Sequence, residues 1–124
     1  MNKIIIVTLV LAALFSCNSN GSKEEKKEDA ADITKNPDYQ KGTDLVANNG
    51  CMTCHRIDEK ISGPTYRDVA NKYAGASDEV IANLAQKIIK GGSGVWGDVM
   101  MIPHPGISED DAKAMVKYIL LLKK

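Results

Sequence analysis

The chain has 124 residues, and its 16 basic and 16 acidic side chains cancel to a formal charge of zero. That length allows one domain with little to spare. No strongly basic stripe interrupts the balance, which argues against nucleic acid as a partner.

The N-terminal stretch stands apart from that domain. Asn2 and Lys3 make a short positive start, Ile4 to Phe15 is almost wholly apolar, and small or polar residues follow. This is the layout of a secretory signal peptide. The apolar run falls short of the ~20 residues a helix needs to cross a bilayer. It ends in Leu14-Phe15-Ser16-Cys17, which resembles a bacterial lipobox, where a small residue precedes a cysteine. The resemblance implies that Cys17 becomes the lipid-modified first residue of the mature protein. Without that role it would be an unpaired cysteine in an exported chain. Residues 1–17 are therefore read as a lipoprotein signal peptide. Residues 18–35, with the run Lys23-Glu24-Glu25-Lys26-Lys27-Glu28-Asp29, are read as a charged flexible linker. The linker has no apolar periodicity with which to offset its ordering entropy.

Residues 36–124 form the expected domain. Asn36-Pro37 predicts an N-cap with proline in the first helical turn, and the helix should run to Asn48 before Asn49-Gly50 stops it. Thr65 caps a short helix with Tyr66, Val69, Ala70 and Tyr73 on one face, closed by Gly75. Ser77, followed by Asp78 and Glu79, opens a third helix whose stripe is Ile81, Leu84, Ala85 and Ile88, with Gly91-Gly92 as its stop. Ser108, with Glu109, Asp110 and Asp111, opens the last helix, buried through Ala112, Met115, Val116 and Ile119. Between Gly91 and Ile107 no helical or strand period is visible. A stretch that long, with apolar Trp96, Met100 and Met101 in it, reads as a functional loop. The expectation is four helices, one such loop and no strands.

Between the first two helices stands Cys51-Met52-Thr53-Cys54-His55, the attachment pattern of a c-type haem. Two thiols at this spacing add to the two haem vinyl groups, and the adjacent histidine supplies an imidazole to the iron. A structural zinc site needs four ligands, and no second cysteine pair exists. A thioredoxin-like redox pair needs a β-α-β setting, and no strand precedes this one. A domain of this size also has trouble building a sufficient core. A large buried cofactor remedies that better than one short disulfide loop. For the opposite face of the iron, Met52 lies inside the attachment loop and Met115 has core spacing. Met100, Met101 and His104 remain.

From Asn36 to Lys124 the chain resembles the short bacterial class I cytochromes c, of the c-551/c-552 type. Cys51-Met52-Thr53-Cys54-His55, Ser62-Gly63-Pro64-Thr65-Tyr66 and Gly94-Val95-Trp96-Gly97 carry the resemblance. It implies an all-α class I fold of about four helices wrapped round one covalent haem c. The family's ligand methionine follows its tryptophan by five residues, which implies His55 and Met101 on the metal. Met100 then takes a position that is often proline in the family. The implied cofactor-binding set is Cys51, Cys54, His55, Pro64, Trp96 and Met101. Pro64 would accept a hydrogen bond from His55, and Trp96 would pack on the haem edge or reach a propionate. Lys87 falls where a basic residue often lies near a propionate, although a solvated helix face suits it equally. Gly42 matches the small position where the first and last helices cross, against Tyr118.

The implied function is to carry single electrons, not to catalyse. A quinol-oxidising complex and a terminal oxidase are the expected kinds of partner. The expected location is the periplasm or cell envelope, with the membrane reached through lipidated Cys17. Peroxide reduction and gas sensing are the competing functions. Both need an open or labile iron, and the methionine at the family spacing argues against them.

Overall fold

The structure is a computed structural model and describes residues 32–124. The signal peptide, Cys17 and the linker up to residue 31 lie outside the described residues. Four helices form, α1 (Pro37–Asn48), α2 (Tyr66–Lys72), α3 (Asp78–Lys90) and α4 (Glu109–Leu121). Each begins at the cap its sequence announces. The Asn36, Thr65, Ser77 and Ser108 side chains accept from the backbone N–H groups of Asp38, Asp68, Val80 and Asp111. These are donors that the first turn leaves without an intrahelical partner. Gly91 ends α3 in a positive-φ conformation, φ 68°, that an L side chain rarely adopts. Ahead of α1, Ile33–Lys35 makes one exposed 3-10 turn capped by Asp32.

α4 is the axis of the molecule. It packs most extensively against α1, then against α3 and α2. Its buried residues Ala112, Met115, Val116, Tyr118 and Ile119, with Leu122 just beyond, join Val46, Tyr66, Ala70, Ala85 and Ile88 in one core. Where α1 crosses α4, Gly42 lies against Tyr118 with no space for a side chain. Beside this crossing the Tyr39 and Tyr118 rings meet edge to face, centroids 5.2 Å apart.

The expectation of no strands is corrected by the structure. Gly92–Gly94 (β1) and Gly97–Met101 (β2) pair antiparallel, Gly92 opposite Met101 and Gly94 opposite Gly97, with an irregularity between. The sequence hid this hairpin for a physical reason. Glycine has poor strand propensity, and strands this short leave no alternation to read. The hairpin places Val95 and Trp96 at its turn and Met101 at its end, beside the end of α3.

Candidate haem site

The attachment turn is set by its own backbone. Gly50, at φ 68°, leads into a 3-10 turn over Cys51–Thr53, closed by Cys54 N–H to Cys51 O at 3.3 Å. A 3-10 turn brings residues three apart onto one side, so Cys51 and Cys54 share a face. Both thiols are free. Burial pushes the Cys51 thiol upward from its ordinary value. Met52 instead packs on the core.

His55 N–H closes the same turn on Cys51 O at 3.1 Å. The His55 ring is fixed from three sides. Its Nδ1 lies 2.8 Å from the Pro64 carbonyl oxygen. A carbonyl only accepts, so Nδ1 carries the proton and Nε2 keeps its lone pair for a metal. The Tyr66 ring stacks on the imidazole, centroids 5.4 Å apart and planes within 10° of parallel. Gly63 fits against the remaining side, and a Cβ built there would sit 2.3 Å from His55 Cε1. Tyr66 is buried, and desolvation, with the Cys51 thiol as a smaller cause, drives its phenol pKa far up. It stays a neutral hydroxyl.

These groups line one wall of a cavity of about 660 Å³. Val69, Leu84, Ile88, Met115, Val116 and Ile119 contribute its apolar surface, and the hairpin supplies Trp96, Met100 and Met101. The adjacent methionines differ sharply. Met101 is half-buried and packs against the core, whereas Met100 is 66% exposed. Position along the strand explains the difference, because β2 is exposed from Gly97 to Met100 and becomes half-buried only at Met101, where it meets Gly91 at the end of α3. Trp96 also lines the cavity and is not a core residue, being 42% exposed at the hairpin turn. The Lys72 ammonium lies 5.6 Å from its ring centroid. Lys87 lines the cavity and donates to the Ser93 carbonyl at 3.4 Å, joining α3 to β1. His104 lines the cavity as well, and its backbone N–H is bound to the Ile88 and Ile89 carbonyls.

The residues fit a covalent haem. Two free thiols share one face, an imidazole has its Nε2 free, a thioether lies on the hairpin, and an apolar cavity lies among them. Among the described residues no group of three or more His, Cys, Asp or Glu side chains is arranged to hold a metal ion on its own. Sequence reasoning placed Cys51, Cys54, His55, Pro64, Trp96 and Met101, and all six line this one cavity. It read Tyr66 only as a helix-face residue and Gly63 only as a turn. Neither contact with His55 has a local signal.

At the outer edge of the loop between His55 and α2, Asp58 meets the Arg67 guanidinium. That hydrogen bond, with smaller help from Lys124, holds the Asp58 carboxyl down to about 2. A depressed folded-state value contributes stability above the ordinary carboxylate value and loses it as pH falls towards 2. The melting difference between wild type and Asp58→Asn should thus shrink as pH is lowered from about 4 to about 2 and vanish only below that. A thermal melt series at fixed ionic strength checks this. A difference that persists unchanged at pH 2 would show that the carboxylate is not the source.

A helical wrap closing an apolar cavity around a Cys-x-x-Cys-His turn defines a protein that holds haem covalently. The cytochrome c family matches the chain over residues 39–123. Cytochrome c-552 of Nitrosomonas europaea is 44% identical over 84 residues, 68% of this chain and 81% of that one. Cytochrome c-552 of Hydrogenobacter thermophilus is 49% identical over 79 residues, 64% of this chain and 79% of that one. The crystal structure of the Nitrosomonas europaea protein superposes with a TM-score of 0.60 at 44% identity, covering 65% of this chain and 99% of that one. The chain belongs to the cytochrome c family. Its fold is the small all-α cytochrome c fold, and its cofactor is one covalent haem c.

Proposed function

We propose that the protein is a single-electron carrier whose haem iron is held between His55 Nε2 and the Met101 sulfur. The observation that carries this reading is the pairing of one oriented imidazole with one half-buried thioether on a single apolar cavity. When bound, haem c supplies an iron that changes charge by one at fixed ligation. The chain's residues do the rest. Cys51 and Cys54 hold the group by thioethers. The Pro64 carbonyl keeps the His55 proton on Nδ1 and raises the basicity of the ring. The apolar lining excludes water. Trp96, which lines the cavity and is partly exposed at the hairpin turn, would offer its indole N–H to a propionate.

With His55 and Met101 both holding the iron, no open site would remain for peroxide or oxygen, which favours electron carriage over catalysis. The surface around Cys51, Cys54 and the hairpin is the docking face. Small, weak encounters suit a carrier that must leave each partner. Export, lipidation at Cys17 and the 18–35 linker would hold the domain near the periplasmic side of a membrane. There they raise its effective concentration at a quinol-oxidising complex and a terminal oxidase.

The ferric absorption spectrum of the matured protein at neutral pH tests the ligand pair. The weak far-red charge-transfer band of sulfur bound to ferric iron should be present. Met101→Ala should abolish it, and Met100→Ala should retain it. A high-spin spectrum in the wild type would mean an open iron and would bring peroxide or gas chemistry forward.

A further inference from the structure

The loop between the attachment turn and α2 has an exposed outer arm, Asp58 to Ser62. With so little packing, the position of Pro64 rests on how the two ends of the loop are tied. Two backbone bonds join the ends, Tyr66 N–H to Arg56 O at 2.9 Å and Arg67 N–H to Ile57 O at 3.0 Å. A third, Gly63 N–H to Cys54 O at 3.0 Å, ties the inner arm to the attachment turn.

One side chain then locks the base. Arg67 reaches Asp58 through two parallel bonds, Nε to Oδ1 at 2.6 Å and Nη2 to Oδ2 at 2.8 Å. Its third nitrogen, Nη1, donates to the Leu122 carbonyl just past α4. Lys124 closes the same corner, with Nζ 3.7 Å from Asp58 and its backbone N–H on Asn71 Oδ1 at 3.0 Å. Single exposed ion pairs contribute little. This one is bidentate, and its arginine is only 20% exposed. Only a guanidinium has the fixed fork that serves a carboxylate and a carbonyl together.

We propose that Arg67 is a positioning residue for the His55 imidazole. By joining Asp58 to the end of α4, it holds the loop where the Pro64 carbonyl meets Nδ1–H, and so it helps to set the reduction potential. The inference rests on His55 being an iron ligand. A firm Nδ1–H bond gives the ring more imidazolate character, which favours the ferric state. A slack loop weakens the bond, and the potential rises.

The test compares holoprotein variants Arg67→Gln, Arg67→Lys and Asp58→Asn by redox titration and by proton NMR of the ferric state. Arg67→Gln and Asp58→Asn should each raise the potential and speed solvent exchange of His55 Nδ1–H. The expected factor is about tenfold, the scale of one ordinary hydrogen bond. Arg67→Lys should fall between them and wild type. The double variant should go no further than either single one, because both remove the same link. Glu109→Gln, which breaks the separate exposed pair with Lys113, should move neither readout. If the His55 ring protons carry a paramagnetic shift but exchange and potential stay at wild-type values in all three variants, the clamp is wrong and the ligand reading stands. If the ring protons show no such shift in wild type, the ligand reading fails and the inference falls with it.

Discussion

Gly42→Ala should destabilise the folded haem protein by roughly 2–3 kcal/mol, within the range of overpacked cores. A Cβ on residue 42 would lie 2.1 Å from Tyr118 Cβ and 2.9 Å from the Ala114 carbonyl oxygen, where ordinary contact is 3.4–4 Å. Neither atom can rotate away, because one is backbone and the other is fixed to it. Tyr118 is 4% exposed and braced by Tyr39, so its ring has no vacant space to enter. Relief therefore requires α1 and α4 to separate, which opens the most extensive helix contact in the molecule. Alanine's better helix propensity returns only about 1 kcal/mol. For a domain of this size each kcal/mol lowers the melting temperature by about 4–8 °C. Guanidinium titration should show a lower midpoint with an unchanged slope. A variant as stable as wild type would mean that the helices do not cross this closely.

The four helices were legible in the sequence, whereas that crossing was implied by the family resemblance. Capping is local chemistry, and Asn36, Thr65, Ser77 and Ser108 announce their helices with side chains that accept from the next turn. The attachment motif is local too, because thioether chemistry dictates its spacing. What the sequence hides is long-range or made of glycine. The β1–β2 hairpin has three glycines in its two strands and so no strand pattern. The Arg67 fork reaches Leu122, 55 positions away, and no periodicity foretells it. Choosing Met101 over Met100 needed the family spacing. The hairpin adds a physical reason, since it buries one thioether partly and leaves the other in solvent.

Gly63→Ala should act on His55, the proposed iron ligand, directly. A Cβ there would stand 2.3 Å from His55 Cε1, 2.7 Å from Nδ1 and 2.9 Å from Nε2. The imidazole cannot retreat without losing its parallel stack on Tyr66, which is buried against α4. Nor can it swing while Nδ1–H stays on the Pro64 carbonyl at 2.8 Å. The loop must give instead, and residue 64, next in the chain, is carried with it. The substitution therefore breaks the bond that orients the ring while leaving Cys51, Cys54 and Met101 untouched. Losing such an orienting bond typically weakens a metal ligand by 10–100-fold. The thioethers should still retain the haem, so the variant should stay coloured but show a high-spin ferric fraction absent from wild type. Added imidazole should convert that fraction to low spin, because an external base can take the place of the misplaced ring. A fully low-spin Gly63→Ala protein with wild-type potential would show that the loop yields without moving His55, and that Pro64 and Tyr66 alone fix the ring.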